Sequence, residues 1–160
     1  MPKKIAFACD HRGYEIKKPI LDYLKSKKYE VIDCGTDSAD SVDYPDFMVA
    51  AAEKVRDGVC ERAIGACYSG IGSTIAANKV CGVRAALVHN VKQAELSRAH
   101  NDANMLILGS AFMDPKELIA TIEKWLTTPF EGGRHENRVN KIKQYEEQKS
   151  ATGRRPAGRG

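Results

Sequence analysis

The segment RAIGACYSGIGSTIAANK, residues 62–79, contains the transition that decides the fold. It begins with a mostly apolar run, which is typical of a strand buried on both faces. Two glycines, Gly70 and Gly72, follow at a tight turn, and the small apolar residues after them predict a helix. The segment therefore predicts a strand, a glycine turn and a helix in that order.

The same order recurs on both sides of this segment. Further strands are predicted within KKIAFACD (3–10), EVIDCG (30–35), VRAALVHN (83–90) and ANMLILGS (103–110). Helical spacing and helix-end residues predict further helices within residues 13–29, 44–58, 91–101 and 114–128. Residues 134–148 are predicted to form a last helix, rich in charge and thin in apolar residues, which needs a partner surface. Alternating strands and helices imply right-handed crossovers onto a parallel sheet. The predicted fold is α/β, a doubly wound, Rossmann-like three-layer sandwich with a five-stranded parallel sheet, whose ligands bind beyond the carboxyl ends of the strands.

Length and charge limit the class of protein. The 160 residues fit one domain, predicted at residues 1–148, and the formal net charge is +4. The last stretch, residues 149–160, carries four basic residues and no acid, so residues 1–148 are neutral overall. A neutral domain argues against nucleic-acid binding. Residues 149–160 are predicted to form a disordered basic tail.

Cysteine use and hydropathy indicate a cytoplasmic protein. The five cysteines share no CxxC spacing and follow no signal peptide, which predicts reduced thiols and argues against zinc and disulfides. No apolar run approaches the ~20 residues that a membrane-spanning helix needs. We therefore expect no membrane partner.

The glycine turn has two interpretations. Gly70 and Gly72 can leave the backbone amides of residues 70–74 pointing outward at a helix start, where an oxyanion or a phosphate would fit. They can also be packing residues at a strand–helix corner. A dinucleotide fingerprint needs a third glycine where Ile75 stands and belongs after the first strand, which argues against NAD. No GK[ST] sequence is present, so a P-loop is excluded as well.

Cys67 ends the central strand beside these amides, where a thiolate base or nucleophile would be available. A cysteine phosphatase would need an arginine at position 73, and the residue there is Ser73. The alternative is that Cys67 is a small buried apolar residue, as we expect for the other four cysteines. Asp10 and His11 follow the first strand at the same edge of the sheet, where a carboxylate and an imidazole can exchange protons or bind a sugar hydroxyl.

Two further pairs of polar residues lie near the ends of later helices. His100 and Asn101 end the fourth helix, where a protonated histidine would be a favourable cap even without a functional role. Arg134 and Arg138 are four residues apart on one helical face, which fits either a phosphate clamp or a salt-bridged surface.

Five motifs, in chain order, resemble the ribose-5-phosphate isomerase B family, which has galactose-6-phosphate isomerases among its relatives. They are IAFACDHRGYEIKKPI, EVIDCGTDSADSVDYPDF, ACYSGIGSTIAANKVCGVRAALVHN, LSRAHNDANMLILGS and PFEGGRHENRV. The similarity runs from about residue 3 to 145. Its most specific blocks are SGIGxxIAANK and EGGRHxxRV.

This resemblance implies interconversion of ribose 5-phosphate and ribulose 5-phosphate without a metal or a cofactor. It also implies a homodimer with sites between the subunits, in which dimers can pair into tetramers. The catalytic positions of the family match Cys67, the enediolate base, together with Ser69, Asp10 and His100. Its substrate-binding positions match a larger set: His11, Tyr44, Gly70, Ile71, Gly72, Ser73, Thr74, Asn101, Arg134 and Arg138.

Two positions depart from the family's motifs. Tyr68 stands where the family usually has glycine, disfavours positive φ and places a phenol at the rim of the site. Ala111 stands where the family commonly has an arginine near the phosphate; either Arg12 compensates or the phosphate sits differently. The alternative substrate is a six-carbon sugar phosphate, allose or galactose 6-phosphate. The alternative class is a non-catalytic sugar-phosphate-binding protein.

Overall fold

The computed structural model describes residues 3–151, which form a central parallel sheet covered by helices. The strands are β1 (Lys4–Cys9), β2 (Glu30–Asp33), β3 (Arg62–Cys67), β4 (Ala85–Val88) and β5 (Met105–Gly109). The helices are α1 (Tyr14–Ser26), α2 (Tyr44–Arg56), α3 (Ile71–Ala77), α4 (Val91–Ala99), α5 (Leu118–Thr127) and α6 (Arg134–Ala151). The strand order is β2-β1-β3-β5-β4, and every pairing is parallel. The predicted α/β fold with a five-stranded parallel sheet is confirmed.

Each face of the sheet carries its own apolar core. Successive side chains of a strand point to opposite faces, so Phe7 packs in the layer of α1, α4 and α5 with the fully buried Trp125. Its neighbour Ala8 packs in the layer of α2 and α3 with Met48. Burial on both faces explains why these strands are continuous apolar runs, and the two cores give the predicted three layers.

The order of the strands places the crevice for a ligand between β1 and β3. From β1 the chain first moves to β2 on one side, and then crosses to β3 on the other side. The carboxyl ends of β1 and β3 therefore flank the point at which the strand order reverses, where open α/β sheets bind ligands. Cys9 lies opposite Ala66 in this pair, so Asp10 and Cys67 emerge side by side.

A side chain occupies part of the outer edge of β4. Asn78, just after α3, donates from Nδ2 to the Ala85 carbonyl at 2.9 Å and accepts from the Ala85 amide at 2.8 Å. Beyond this edge, Ile142 and Tyr145 of α6 line a groove of about 570 Å³ together with Asn78 and Ala85. Helix α6 thus runs along the β4 side of the sheet.

The boundary of the last helix differs from the prediction. Helix α6 continues to Ala151, three residues beyond the predicted domain end at residue 148. No glycine or proline interrupts the chain before Gly153, so the helical hydrogen bonds continue. The rest of the predicted tail, residues 152–160, lies outside the described residues. Within residues 3–151, no helix has the length and apolar character needed to cross a membrane.

Candidate active site

The predicted base and its neighbouring carboxylate are in contact. Cys67 Sγ lies 3.5 Å from Asp10 Oδ2, with the thiol as the donor. The other carboxylate oxygen, Oδ1, accepts the backbone amides of Arg12 and Gly13, each at 2.9 Å. Both side chains are nearly buried, with 6% of Cys67 and 4% of Asp10 exposed. Since two amides fix the carboxylate, its free oxygen is held toward the sulfur.

The glycine turn after Cys67 offers fewer free amides than the sequence predicted. The Ile71 amide donates to Ser69 Oγ at 3.2 Å, and the Thr74 amide donates to the Gly70 carbonyl at 3.0 Å. Among the residues that the structure describes, no protein acceptor takes the amides of Gly70, Gly72 and Ser73. Ser73 Oγ is also fully buried without a hydrogen-bond partner there. Three amides, rather than five, are therefore available to an anion.

Gly70 and Gly72 are both required by this turn, for different reasons. Gly70 has a φ of 77°, in the left-handed region that side chains disfavour. Gly72 has no such φ, but a Cβ at this position would lie 2.4 Å from Tyr44 Cζ. Tyr44 is the first residue of α2, and its ring lies directly against the glycine turn. The sequence predicted a substrate contact for this residue.

His11 is held near the same place by the segment before α2. Its Nδ1 accepts the backbone amide of Val42 at 3.2 Å. In the neutral ring the proton therefore lies on Nε2, which makes no hydrogen bond within residues 3–151 and can donate to a ligand. We call Asp10, His11, Tyr44, Cys67 and residues 69–74 the thiol cluster.

His100 belongs to a second group of polar residues. It ends α4, as predicted, and its ring stacks on His135 of α6, with centroids 4.1 Å apart and planes 10° apart. The Nε2 atoms of His100 and His135 lie 3.8 and 3.6 Å from Glu131 Oε2. Burial lowers the pKa of His135, and the nearby charges of His100 and Arg134 lower it further. A neutral His135 can stack on His100 without charge repulsion.

A strained turn fixes the position of His100 and Asn101. Asp102, the next residue, has a φ of 47°. Its carboxylate accepts from the nearly buried Arg98 at 2.8 Å and from Arg84 at 3.2 Å, and Arg84 also donates to the carbonyl of Asn101. These contacts stabilise a conformation that costs on the order of 1 kcal/mol outside glycine.

The second group also contains donors that suit a metal ion. Ligand atoms of His100, Glu131 and His135 lie within 4.8 Å of one another, and imidazole and carboxylate are ordinary zinc ligands. The two rings stack with their planes 10° apart, and both Nε2 atoms lie near the same oxygen of Glu131. Because both Nε2 atoms lie within 3.8 Å of this carboxylate oxygen, the same arrangement is also suited to proton exchange with Glu131.

The predicted site residues form two separate groups within the chain. Arg134 and Arg138 are exposed on α6 one turn apart, and their charges act on His135. We call His100, Asn101, Glu131, His135 and these two arginines the histidine cluster. Within residues 3–151, no hydrogen bond, ion pair or ring contact joins this cluster to Cys67. A groove of about 610 Å³ lies elsewhere, along α1, and none of the predicted site residues lines it.

Tyr68 and Arg12, the unusual residues of the sequence, lie against each other. The Arg12 guanidinium carbon lies 4.8 Å from the centroid of the Tyr68 ring. Tyr68 is half exposed, and its carbonyl accepts the amide of Ala111 at 3.0 Å. Its φ is not positive, so the turn accommodates a side chain at this position without strain.

Sequence reasoning did not identify Glu131, His135 or Asp102 as part of the site. Glu131 and His135 are four residues apart, within the EGGRH motif, and this spacing was the available signal. The stacking of His135 on His100 joins residues far apart in the chain, which no local pattern predicts.

Comparison with known proteins identifies the family. Residues 5–142, nearly all of the described chain, match the Ribose/Galactose Isomerase family. The chain belongs to this family. Both clusters lie within the matched region.

Individual members of the family are similar to this chain over almost their whole length. A Rickettsia conorii relative, named only as a sugar phosphate isomerase, is 49% identical over 143 residues. The match covers 87% of this chain and 96% of the Rickettsia chain. Ribose-5-phosphate isomerase B of Clostridium thermocellum is 48% identical with a TM-score of 0.88, covering 91% of this chain and 98% of its own. Ribose-5-phosphate isomerase B of Mycoplasma genitalium, solved with bound ribulose-5-phosphate, is 43% identical with a TM-score of 0.88. The match covers 92% of this chain and 99% of the Mycoplasma chain.

Proposed function

We propose that the protein interconverts ribose 5-phosphate and ribulose 5-phosphate through an enediolate, with Cys67 as the base. The observation that carries this proposal is the contact between Cys67 Sγ and Asp10 Oδ2, beside three unpaired backbone amides, at the switch point of the sheet. The bound ribulose-5-phosphate of the Mycoplasma genitalium relative supports the choice of sugar.

The thiol cluster supplies the groups that an aldose–ketose shift needs. The reaction removes the proton from C2, which leaves a C1–C2 enediolate with negative charge on O1, and then returns the proton to C1 while the O2 proton moves to O1. A base must lie near the transferred hydrogen, and fixed donors must face the oxygen that becomes charged. Cys67 is suited to the first role, with Asp10 Oδ2 as the nearest acceptor for the thiol proton. The amides of Gly70, Gly72 and Ser73 are suited to the second.

The histidine cluster fits the steps on either side of isomerisation. The His100 ring, with Glu131 as a proton partner, is suited to opening the furanose, which requires a proton to move between the ring oxygen and the anomeric hydroxyl. Arg134 and Arg138 are exposed and suited to binding the phosphate. Because hydrogen moves as a proton and no net redox change occurs, this chemistry requires neither a redox cofactor nor a metal.

We infer that the two clusters meet in a homodimer. They are not joined within one chain, and a second copy can bring its histidine cluster to the thiol cluster of the first. Helix α6, which starts in the histidine cluster, leaves Ile142 48% and Tyr145 62% exposed and buries only His135 and Val139. Apolar residues on such a helix are available to an interface.

A coupled assay with ribose 5-phosphate, ribulose 5-phosphate, allose 6-phosphate and galactose 6-phosphate tests the proposal. We expect the highest kcat/KM with the pentose phosphates. Cys67→Ala should lower kcat by at least about 10²-fold while phosphate binding and folding persist. Cys81→Ala, which removes an exposed cysteine outside both clusters, is the matched control.

Each of the other outcomes of this assay points to a different function or a different base. A preference for a six-carbon substrate would replace ribose by allose or galactose and leave the chemistry in place. Binding of sugar phosphates without turnover of any of them would identify a binding protein. Normal turnover by Cys67→Ala would refute the assignment of the base.

A further inference from the structure

Arg12 and Tyr68 form a bridge across the crevice between β1 and β3. Arg12 follows Asp10 by two residues, and Tyr68 directly follows Cys67, so the bridge spans the two strand ends that carry the proposed base and its carboxylate. Both ends are fixed by the backbone: the Arg12 amide donates to Asp10 Oδ1 at 2.9 Å, and the Tyr68 carbonyl accepts from Ala111. The guanidinium carbon stands 4.8 Å from the ring centroid.

The donors of the Arg12 guanidinium are unused. Most other arginines of residues 3–151 bind protein oxygens: Arg56 binds Glu53 and Asp57, Arg62 binds the carbonyls of Trp125 and Leu126, and Arg84 and Arg98 bind Asp102. Within the described chain, the side chain of Arg12 makes neither a hydrogen bond nor an ion pair. A guanidinium that rests on an aromatic face still directs its N–H groups outward in its own plane.

We propose that Arg12 is a specificity-determining residue that binds the phosphate of the sugar, and that Tyr68 is the positioning residue that holds its guanidinium over the crevice. The proposal rests on the proposed function. A planar guanidinium fork matches phosphate oxygens in a bidentate manner. Ala111, whose amide anchors Tyr68, brings no charge to this rim, so Arg12 is the cation that the chain itself supplies beside Asp10 and His11. It shares the phosphate with Arg134 and Arg138 of the second subunit.

The expected effects follow from the strength of each contact. A charge-assisted hydrogen bond at an exposed position corresponds to about 10-fold in affinity, so Arg12→Ala should raise KM for ribose 5-phosphate about 10-fold and change kcat by less than about 3-fold. An exposed cation–π contact corresponds to roughly 2- to 5-fold, which is the expected rise in KM for Tyr68→Leu. Tyr68→Phe keeps the aromatic face and should raise KM less.

The experiment measures kcat and KM for these variants and for the double variant Arg12→Ala/Tyr68→Leu at low and high salt. If Tyr68 acts through Arg12, Tyr68→Leu adds nothing to KM once Arg12 is absent. The effect of Arg12→Ala should shrink at high salt because charges at the rim are screened. Arg56→Ala removes an arginine of equal charge outside the site and should leave KM unchanged.

Inorganic phosphate separates this proposal from the proposed function. Calorimetric titration of phosphate into Cys67→Ala and into Cys67→Ala/Arg12→Ala needs no turnover, and the second protein should bind phosphate about 10-fold more weakly. Equal phosphate affinities, or an unchanged KM in Arg12→Ala, would overturn the proposal for Arg12. An effect of Tyr68→Leu that persists without Arg12 would overturn the role of Tyr68. Absence of turnover with weakened phosphate binding would overturn the isomerase reaction alone.

Discussion

Replacing Gly72 with alanine should destabilise the protein, and removing the Tyr44 ring should reverse the sign of that effect. The new Cβ would lie 2.4 Å from Tyr44 Cζ and 2.5 Å from its hydroxyl. Carbon atoms pack at about 3.5 Å or more, so the ring must move by about 1 Å. Overpacking of this kind costs about 1–3 kcal/mol.

The expected magnitude is at the lower end of that range. Tyr44 is 37% exposed and begins α2, so its ring can move toward solvent. Against this cost, alanine in place of glycine in the first turn of α3 gains about 0.5–1 kcal/mol. A clash of about 2 kcal/mol less this gain leaves a net loss of about 1 kcal/mol in the free energy of unfolding. In a Tyr44→Ala background the clash is absent, and Gly72→Ala should stabilise by about 0.5–1 kcal/mol.

Urea unfolding of the four proteins in this double-mutant cycle measures both values. The fluorescence of Trp125, the single tryptophan, is a suitable signal because this residue is fully buried in the layer of α1, α4 and α5, on the opposite face from Tyr44. Equal destabilisation by Gly72→Ala in both backgrounds would refute the reasoning, since the methyl group would then clash with something other than Tyr44.

Two further predictions concern His135 and the turn at Asp102. The free energy of unfolding should fall as the pH drops below about 6.5, because the lowered pKa of His135 means that the unfolded chain binds a proton before the folded chain does. Urea denaturation at pH 7.5 and at pH 5.5 should show this loss of stability. The variant His135→Gln should lose less stability between the two pH values. Asp102→Asn should cost about 2 kcal/mol, because the nearly buried Arg98 loses its ion pair, and an unchanged Tm would contradict this.

The fold followed from the sequence because its signals are local. Runs such as IAFAC and MLILG are apolar throughout, since both faces of each strand are buried, and the intervening segments carry helical spacing. The position of β4 outside β5 did not follow, because a crossover can place a strand at either edge without changing its own pattern.

The site was predictable where it lies at strand ends. Asp10 directly follows β1 and Cys67 ends β3, so parallel pairing of these central strands brings them together. Contacts between distant segments were not predictable: the stacking of His100 on His135 depends on where α6 packs, and the contact of Arg12 with Tyr68 depends on side-chain conformation. The cytoplasmic location inferred from the cysteines stays a prediction.

The Asn78 side chain has a consequence for aggregation. An outer strand normally presents unpaired N–H and C=O groups that can recruit the backbone of another molecule. At β4, the amide and carbonyl of Ala85 are already taken by one carboxamide, so an incoming chain would meet an occupied rung at the first residue of a four-residue strand. An incoming strand therefore finds one outward-facing residue fewer to pair with, which disfavours growth of an intermolecular β-ribbon from this edge.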